Sequence, residues 1–123
     1  MVVLLVDEAS GVRTRLRERI AHPGTEVHEA SDGAEACAIA LSTKLDIIVL
    51  DVHVRAETGL GVLARLRESA RDAVIIVLTN EATDVHRREC LRHGANHFLD
   101  KSREFDRAVA LVLARAANLA SRS

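Results

Sequence analysis

Three short apolar runs constrain the fold of this chain more than any other feature of its sequence. They occupy residues 2–6, 47–50 and 74–78, they are rich in β-branched side chains, and none of them alternates with polar residues. Runs of this kind are typical of strands buried on both faces, as in a parallel sheet. Two weaker strands, at 26–30 and 96–100, are predicted to form the edges of the sheet.

The segments between these strands have helical periodicity. Apolar residues recur at helical spacing in residues 12–20, 34–41, 60–70, 85–91 and 105–119. Ser10 is predicted to cap the first helix, and Thr83 or Asp84 the fourth. Strand followed by helix, repeated along the whole chain, predicts a doubly wound α/β domain with five parallel strands and helices on both faces. The length of 123 residues fits one such domain.

Composition excludes several classes of function. The net charge is only -1, and Phe98 and Phe105 are the only aromatic side chains, so neither direct nucleic-acid binding nor membrane association is expected. Cys37 and Cys90 form no CxxC pair and are predicted to be reduced thiols. The chain shows no secretory segment and no apolar run of the ~20 residues that a membrane span needs. These features predict a cytoplasmic protein.

Polar side chains follow the predicted strands where the chain leaves the sheet. They are Asp7 and Glu8, Asp51, Thr79, and Lys101. Ligands of doubly wound sheets bind beyond the carboxyl ends of the strands, where these groups converge. Two carboxylates ~4 Å apart repel by roughly 4 kcal/mol at an effective dielectric constant near 20, and a hard divalent cation such as Mg²⁺ removes that penalty. Asp51 would then be a nucleophile for phosphoryl transfer, with Lys101 neutralising the phosphoryl oxygens.

Four motifs in this order resemble the receiver domain of two-component response regulators, of the stand-alone CheY-like type. They are LLVDE at 4–8, IVLD at 48–51 with Gly59 eight residues on, VLT at 77–79, and GANHFLDK at 94–101. The resemblance covers essentially the whole chain. It implies a flavodoxin-like fold with sheet order 2-1-3-4-5, and phosphorylation of Asp51 by a histidine kinase or a phosphotransfer protein.

The same resemblance implies roles for individual residues. Mg²⁺, or alternatively Mn²⁺, would be held by Asp7, Glu8, Asp51 and the backbone carbonyl of His53. Thr79 and Phe98 would be the pair that switches on phosphorylation, and Lys101 would contact the phosphoryl group.

Four positions depart from the usual receiver pattern. Arg55 and Ser102 stand where receivers carry proline, so the geometry of the peptide after Lys101 stays open. Glu8 is one methylene longer than the usual aspartate, and the amide of Asn80 is expected to narrow access to the acceptor. These departures motivate an alternative, a degenerate receiver that docks to a partner independently of phosphorylation.

Histidine and glutamate residues near the acceptor suggest a kinetic role. His53 and Glu81, two residues after Asp51 and Thr79, are predicted to tune loss of the phosphoryl group by aligning or blocking the attacking water. Solvated side chains without a kinetic role are the competing interpretation. The spacing of the other histidines matches no known metal site, and they are interpreted as surface residues; they are His22, His28, His86, His93 and His97.

The chain is interpreted as one receiver domain, residues 1–123, without an output domain. Output is therefore expected from the face formed by the fourth helix, the fifth strand and the fifth helix, through a downstream protein or a homodimer. Mixed charges on this face suit such contacts; they are Arg87, Arg88, Arg92, Arg103, Arg107, Glu89, Glu104 and Asp106. The protein would catalyse only its own phosphorylation and dephosphorylation. A phosphatase resembling the haloacid dehalogenases is disfavoured because its nucleophile would follow the first strand.

Overall fold

The computed structural model describes residues 1–53 and 58–122, in which five strands alternate with five helices. Arg55 lies outside the described residues. The elements are β1 (Val2–Val6), α1 (Ser10–Ile20), β2 (Glu26–Ala30), α2 (Gly33–Ser42), β3 (Ile47–Leu50), α3 (Gly59–Ser69), β4 (Val74–Thr79), α4 (Asp84–Arg92), β5 (His97–Asp100) and α5 (Phe105–Ala120).

All neighbouring strands are parallel, and their order is β2-β1-β3-β4-β5. This is the predicted flavodoxin-like order, which is thereby confirmed. The two weaker strands, β2 and β5, lie at the edges, where one side of the strand needs no partner. The three continuous apolar runs form the centre of the sheet.

The central strands are apolar throughout because successive side chains enter two different cores. In β1, Leu4 and Val6 pack beneath α2, α3 and α4, whereas Val3 and Leu5 pack beneath α1 and α5. β3 and β4 divide in the same way, and the largest side chains of both cores are fully buried. A polar substitution at any of these positions would therefore enter an apolar layer.

The helix ends agree only in part with the sequence-based predictions. Thr83 caps α4, where its hydroxyl accepts a hydrogen bond from the backbone N–H of His86 at 3.1 Å. Ser10 does not cap α1, and that prediction was wrong. The capping position is Ala9, whose carbonyl accepts from the N–H of Val12 at 3.2 Å, while the Asp7 carboxylate takes up the N–H of Ala9 itself at 2.8 Å. The side chain of Asp7 thus orders the turn into α1.

The solvent side of α4 differs from the predicted pattern as well. Val85 and Leu91, the apolar residues of the predicted pattern, are 63% and 43% exposed, and the buried residue of the helix is Cys90. Cys37 and Cys90 are both free thiols, the former half-buried. In the part of the chain that the structure describes, no helix combines the length and apolar character that crossing a membrane requires.

Arg67 ties the C-terminal end of α3 to two neighbouring connections. Its guanidinium donates to the carbonyls of Ala70, Arg71 and Ala73 before β4, and to the carbonyl of Gly94 before β5, at 2.8–3.1 Å. It also donates to the side-chain oxygen of Asn96 at 2.7 Å. One guanidinium therefore supplies hydrogen-bond donors to backbone carbonyls that would otherwise be partly buried without a donor.

Candidate functional site

Strand register brings Asp7 and Asp51 to the same level of the sheet. Val6 of β1 pairs with Leu50 of β3, so the next residue of each strand leaves the sheet side by side. The backbone N–H of Asp51 donates to the Val6 carbonyl at 2.9 Å. Both carboxylates are nearly inaccessible to solvent, with residue exposures of 5% for Asp7 and 9% for Asp51. The sequence-based expectation that strand-end acids converge is met by these two.

Lys101 reaches both carboxylates from the end of β5. Its ammonium lies 2.7 Å from Asp7 Oδ2 and 2.6 Å from Asp51 Oδ2, and its side chain is only 12% exposed. The backbone positions the residue, since the N–H of Lys101 donates to the Thr79 carbonyl at 2.9 Å. Three of the predicted site residues therefore form one contact group.

The charges of this group explain why the lysine stays protonated. Burial of the Lys101 ammonium lowers its pKa, but the hydrogen bonds to Asp51 and Asp7 favour the charged form by more, so the pKa lies above its ordinary value. One ammonium faces two carboxylates, so the pocket retains an excess of negative charge when all three groups are ionised. Oxygen donors with surplus negative charge are the ligands that Mg²⁺ and Mn²⁺ prefer. The donor set of this pocket fits such an ion.

The second oxygen of each aspartate binds a nearby backbone N–H. Asp7 Oδ1 accepts from Ala9 at 2.8 Å, and Asp51 Oδ1 accepts from His53 at 2.9 Å. Together with Lys101, these backbone contacts hold the two carboxylates in fixed orientations. Glu8, the third side chain among the predicted metal ligands, is exposed.

Arg13 is a part of the site that the sequence analysis missed. From α1, its guanidinium donates to the backbone carbonyl of Asp7 at 2.6 Å and to the carboxylate of Glu29 at 2.9 Å. Arg17 donates to the same carboxylate at 2.8 Å. These hydrogen bonds connect α1 to the Asp7 backbone and to Glu29 of the neighbouring strand β2. The alternating arginines of the first helix were visible in the sequence, but their partner on β2 was not.

The peptide that follows Lys101 is trans, because the described residues contain no cis peptide bond. Ser102 stabilises the turn after β5, because its N–H and its hydroxyl both donate to Asp100 Oδ1, at 2.9 Å and 2.7 Å. The same hydrogen bonds lower the pKa of the Asp100 carboxyl. Replacement of the usual proline by serine is thus compatible with Lys101 in contact with both aspartates.

Thr79 and Phe98, the predicted switch pair, are both buried. Thr79 is fully inaccessible, and its hydroxyl accepts from the N–H of Glu81 at 3.2 Å. The Phe98 ring packs edge-on against His86 at a centroid distance of 5.6 Å, and the Arg87 guanidinium lies 5.0 Å from its centre. Arg87 also donates to the Phe98 carbonyl at 3.1 Å. Phe98 therefore contacts the first turn of α4. Asn80, by contrast, is exposed.

His53 and Glu81 lie together and are exposed to solvent. His53 Nε2 is 3.1 Å from Glu81 Oε2, and the two side chains are 46% and 66% exposed. Among the other histidines, His22 is exposed as predicted. The rest are half-buried, which the sequence did not indicate; they are His28, His86, His93 and His97. His86 stands apart from these because its ring lies 5.7 Å from that of His53.

Gly59 allows α3 to begin close to the chain that follows β3. A Cβ atom at this position would lie 1.8 Å from the backbone carbonyl oxygen of Val52, the residue that follows Asp51. No side chain fits there unless the backbone moves. Glycine is thus required by the close approach of α3, which begins eight residues after Asp51 in sequence.

The chain is similar in sequence to known proteins. Residues 3–113 match the family described as the response regulator receiver domain. The response regulator MprA of Mycobacterium avium is 37% identical over 101 residues, covering 82% of this chain and 44% of that protein. MprA of Mycobacterium leprae is 33% identical over 114 residues, covering 93% of this chain and 50% of that protein. The chain spans about half the length of the curated relatives it matches.

A solved structure shows the same similarity in three dimensions. A response regulator protein from Burkholderia pseudomallei superposes with a TM-score of 0.83 at 25% identity, covering 98% of this chain and 71% of that protein. That protein was crystallised with a phosphorylated aspartic acid, a calcium ion and citrate.

Proposed function

The chain belongs to the response regulator receiver domain family of two-component systems, and on this premise we propose that it accepts a phosphoryl group on Asp51. The donor is a histidine kinase or a phosphotransfer protein. The contact of one buried ammonium, that of Lys101, with both Asp7 and Asp51 is the observation that carries this proposal. It places a nucleophilic oxygen next to a fixed positive charge in a site with little water.

Transfer requires one carboxylate oxygen of Asp51 to attack the donor phosphorus. A P–O bond forms, the P–N bond to the donor imidazole breaks, and the electron pair leaves with that nitrogen. The hydrogen bond from the His53 N–H to Asp51 Oδ1 limits rotation of the carboxylate. During transfer, Lys101 exchanges its contact with the Asp51 carboxylate for one with the phosphoryl oxygens. Its positive charge is therefore already in position when negative charge develops on those oxygens.

A divalent cation completes this site. We propose that Asp7, Glu8, Asp51 and the backbone carbonyl of His53 hold Mg²⁺, with Mn²⁺ as an alternative. When bound, the ion neutralises phosphoryl oxygen charge during transfer. The excess negative charge of Asp7 and Asp51 over Lys101 supports this assignment, as does the calcium ion bound by the Burkholderia protein.

The switch that follows phosphorylation is assigned to Thr79 and Phe98. The Thr79 hydroxyl lies at the end of β4 and has no access to solvent. It can therefore donate a hydrogen bond to a phosphoryl group added nearby. Phe98 is buried against His86 and Arg87, so a change at its ring is transmitted to the first turn of α4. Phosphorylation thereby changes the α4-β5-α5 face.

This face is the proposed surface for a downstream protein or a second copy of the chain. Exposed Val85 and Leu91 supply apolar area among several arginines. A groove of about 210 Å³ lies nearby, lined in part by Leu91, Phe98 and Arg107. The acids of the face are partly used within the chain, since Asp106 pairs with Arg19 of α1 at 2.9 Å. The face is consequently more basic than its composition indicates, which favours an acidic partner surface.

His53 and Glu81 are assigned to the control of phosphoryl lifetime. Their 3.1 Å contact forms an exposed polar bridge between the residues two positions after Asp51 and Thr79, and this bridge would align or block an attacking water. The half-lives of the phosphorylated His53→Ala and Glu81→Ala variants measure this role. Opening the bridge is expected to change the half-life of both variants in the same direction, and unchanged values would contradict the assignment.

The two free cysteines fit a reducing compartment, and the cytoplasm is the proposed location. The protein acts on its own phosphoryl group and on no external substrate. The alternative, a docking module independent of phosphorylation, was motivated by Arg55, Asn80 and Ser102. Lys101 contacts both aspartates although Ser102 replaces the usual proline, and this favours phosphorylation-dependent signalling over the docking module.

Phosphorylation by a small donor separates the two functions. Purified protein is incubated with acetyl phosphate and Mg²⁺, and the intact mass is followed with time. We expect the mass of one phosphoryl group to be added to the wild-type protein, and to be absent from Asp51→Asn and from wild-type protein with EDTA. Complete inertness of the wild type, together with partner binding that Asp51→Asn leaves unchanged, would establish the docking module instead.

A further inference from the structure

Three metal-binding side chains meet outside the carboxylate pocket. His53 follows β3, Glu81 follows β4 and His86 lies in the first turn of α4, and one ligand atom from each lies within 4.8 Å of the other two. The closest pair, His53 Nε2 and Glu81 Oε2, is separated by 3.1 Å. The sequence spacing of these residues did not indicate a site, because three separate segments contribute one ligand each.

The orientation of His86 is that of a metal ligand. Its Nδ1 lies 2.9 Å from the backbone carbonyl of Glu81, and because a carbonyl can only accept, Nδ1 carries the proton. The lone pair of the ring is then on Nε2. Metal-binding histidines are commonly held in this way, with the second ring nitrogen donating to a carbonyl or carboxylate. Contact with the Phe98 ring at 5.6 Å further limits rotation of the imidazole.

The three side chains can close around one ion. Two ligands each about 2.1 Å from a metal are at most about 4.2 Å apart. The ligand atoms already lie within 4.8 Å of one another, so side-chain rotations of His53 and Glu81 can bring them to this spacing. His53 and Glu81 are 46% and 66% exposed, so their side chains have room to rotate and an ion reaches them directly from solvent.

We propose that His53, Glu81 and His86 form a binding site for a divalent transition metal of the Zn²⁺ class, with water completing the coordination. Two imidazoles and one carboxylate suit Zn²⁺, Ni²⁺ or Cu²⁺, whereas Mg²⁺ prefers oxygen ligands. The site differs in this respect from the pocket of Asp7 and Asp51, which offers only oxygen. It needs neither phosphorylation nor the ion of that pocket.

Metal bound here joins the segment after β3 to α4. His53 lies two residues from Asp51, and His86 packs on the buried Phe98. A single ion would therefore connect the neighbourhood of the proposed phosphorylation site, Asp51, to the start of α4, where the proposed switch residue Phe98 packs. Because the ligands are assembled only in the folded chain, binding should stabilise the folded state.

Titration with Zn²⁺ tests the site in the unphosphorylated protein. The titration uses a Cys37→Ser background, which removes the half-buried thiol, and millimolar Mg²⁺ to occupy the carboxylate pocket. We expect one Zn²⁺ per chain. Loss of a supporting residue alone costs roughly 10–100-fold in metal affinity in other proteins, so His86→Gln and Glu81→Gln should each bind at least ~10-fold more weakly. The matched control is His22→Gln, a surface histidine whose Nδ1 also contacts a backbone carbonyl, at 2.9 Å; its affinity should be unchanged.

Thermal unfolding supplies a second measurement that is independent of the titration. Zn²⁺ should raise the Tm of the parent and of His22→Gln, and leave that of His86→Gln unchanged. Circular dichroism and Tm without metal verify that each variant is folded. Failure of the parent to bind one equivalent, or equal affinity of parent, His86→Gln and Glu81→Gln, would overturn the proposal. Neither measurement involves phosphorylation, so both outcomes are separate from the test of Asp51.

Discussion

The ammonium of Lys101 lies 2.6 Å from the Asp51 carboxylate, although the two residues are 50 positions apart in the sequence. Asp7 shares the same ammonium at 2.7 Å. This buried triad contains two negative charges and one positive charge, so its stability depends on the single lysine. The same imbalance makes the pocket suitable for a divalent cation.

Replacing Lys101 should make the stability of the protein depend more strongly on Mg²⁺. Removal of one partner from a buried ion pair leaves an uncompensated charge and typically costs about 3–5 kcal/mol in the free energy of unfolding. We expect a loss of this order for Lys101→Met without Mg²⁺, and partial recovery when Mg²⁺ is added, measured by urea unfolding. Lys44→Met, at the other and exposed lysine, is the matched control. An equal effect of Mg²⁺ on both variants would contradict the electrostatic account.

Gly59 and Gly11 should respond oppositely to alanine. A Cβ at Gly59 would be 1.8 Å from the Val52 carbonyl oxygen, whereas nothing lies within 4 Å of one at Gly11. Gly59→Ala should therefore displace the start of α3 and lower the free energy of unfolding by more than about 4 kcal/mol. Gly11→Ala should be neutral or stabilise α1 by up to about 1 kcal/mol. Chemical denaturation of both variants measures the difference, and a small loss at Gly59 would show that the α3 backbone adjusts easily.

Half-buried Arg67 should contribute more to stability than an exposed arginine such as Arg92. Its guanidinium binds four backbone carbonyls and Asn96, and hydrogen bonds to charged groups contribute roughly 1.5–3 kcal/mol. Arg67→Ala is expected to lose about 3 kcal/mol in thermal unfolding. Arg67→Lys should recover less than half of this because an ammonium cannot reproduce the planar fork. Arg92→Ala is the control, since Arg92 makes one 3.7 Å ion pair and should cost under about 0.5 kcal/mol.

Glu29 should contribute to stability at neutral pH but not in acid. Burial raises the pKa of this carboxyl, but the hydrogen bonds from Arg13 and Arg17 lower it by more, so the folded pKa lies below the ordinary value of 4.5. A lowered pKa stabilises the folded protein above the unfolded pKa, and the contribution is lost as the pH falls through the folded pKa.

Glu29→Gln should accordingly be less stable than wild type by about 1 kcal/mol at pH 7. The difference should shrink steadily below pH ~4.5 and should be smaller at high salt. Glu18→Gln, at an exposed carboxylate of α1, is the control and is expected to behave as wild type. A difference between Glu29→Gln and wild type that stays constant between pH 7 and pH 3 would exclude this ion pair as its source.

Most of the secondary structure was predictable because it depends on short-range patterns. Continuous apolar runs identified the three central strands, and the cap of α4 was narrowed to Thr83 or Asp84, of which Thr83 is the cap. Ser10 was assigned wrongly because residue preference alone cannot show that the Asp7 side chain already takes up the N–H of Ala9. The predicted helical pattern of α4 rests on its apolar residues Val85 and Leu91, but both are exposed and the buried position of that helix is Cys90.

The sequence by itself determined which residues leave the sheet at its carboxyl edge, since strand ends follow from the apolar runs and parallel pairing aligns them. The tertiary structure decided which of these residues touch. Lys101 on both aspartates, Arg13 on the Asp7 carbonyl, and His86 beside His53 and Glu81 all join segments distant in the chain. Such contacts depend on helix placement and side-chain rotamers, which the packing of the whole domain sets and no local pattern encodes.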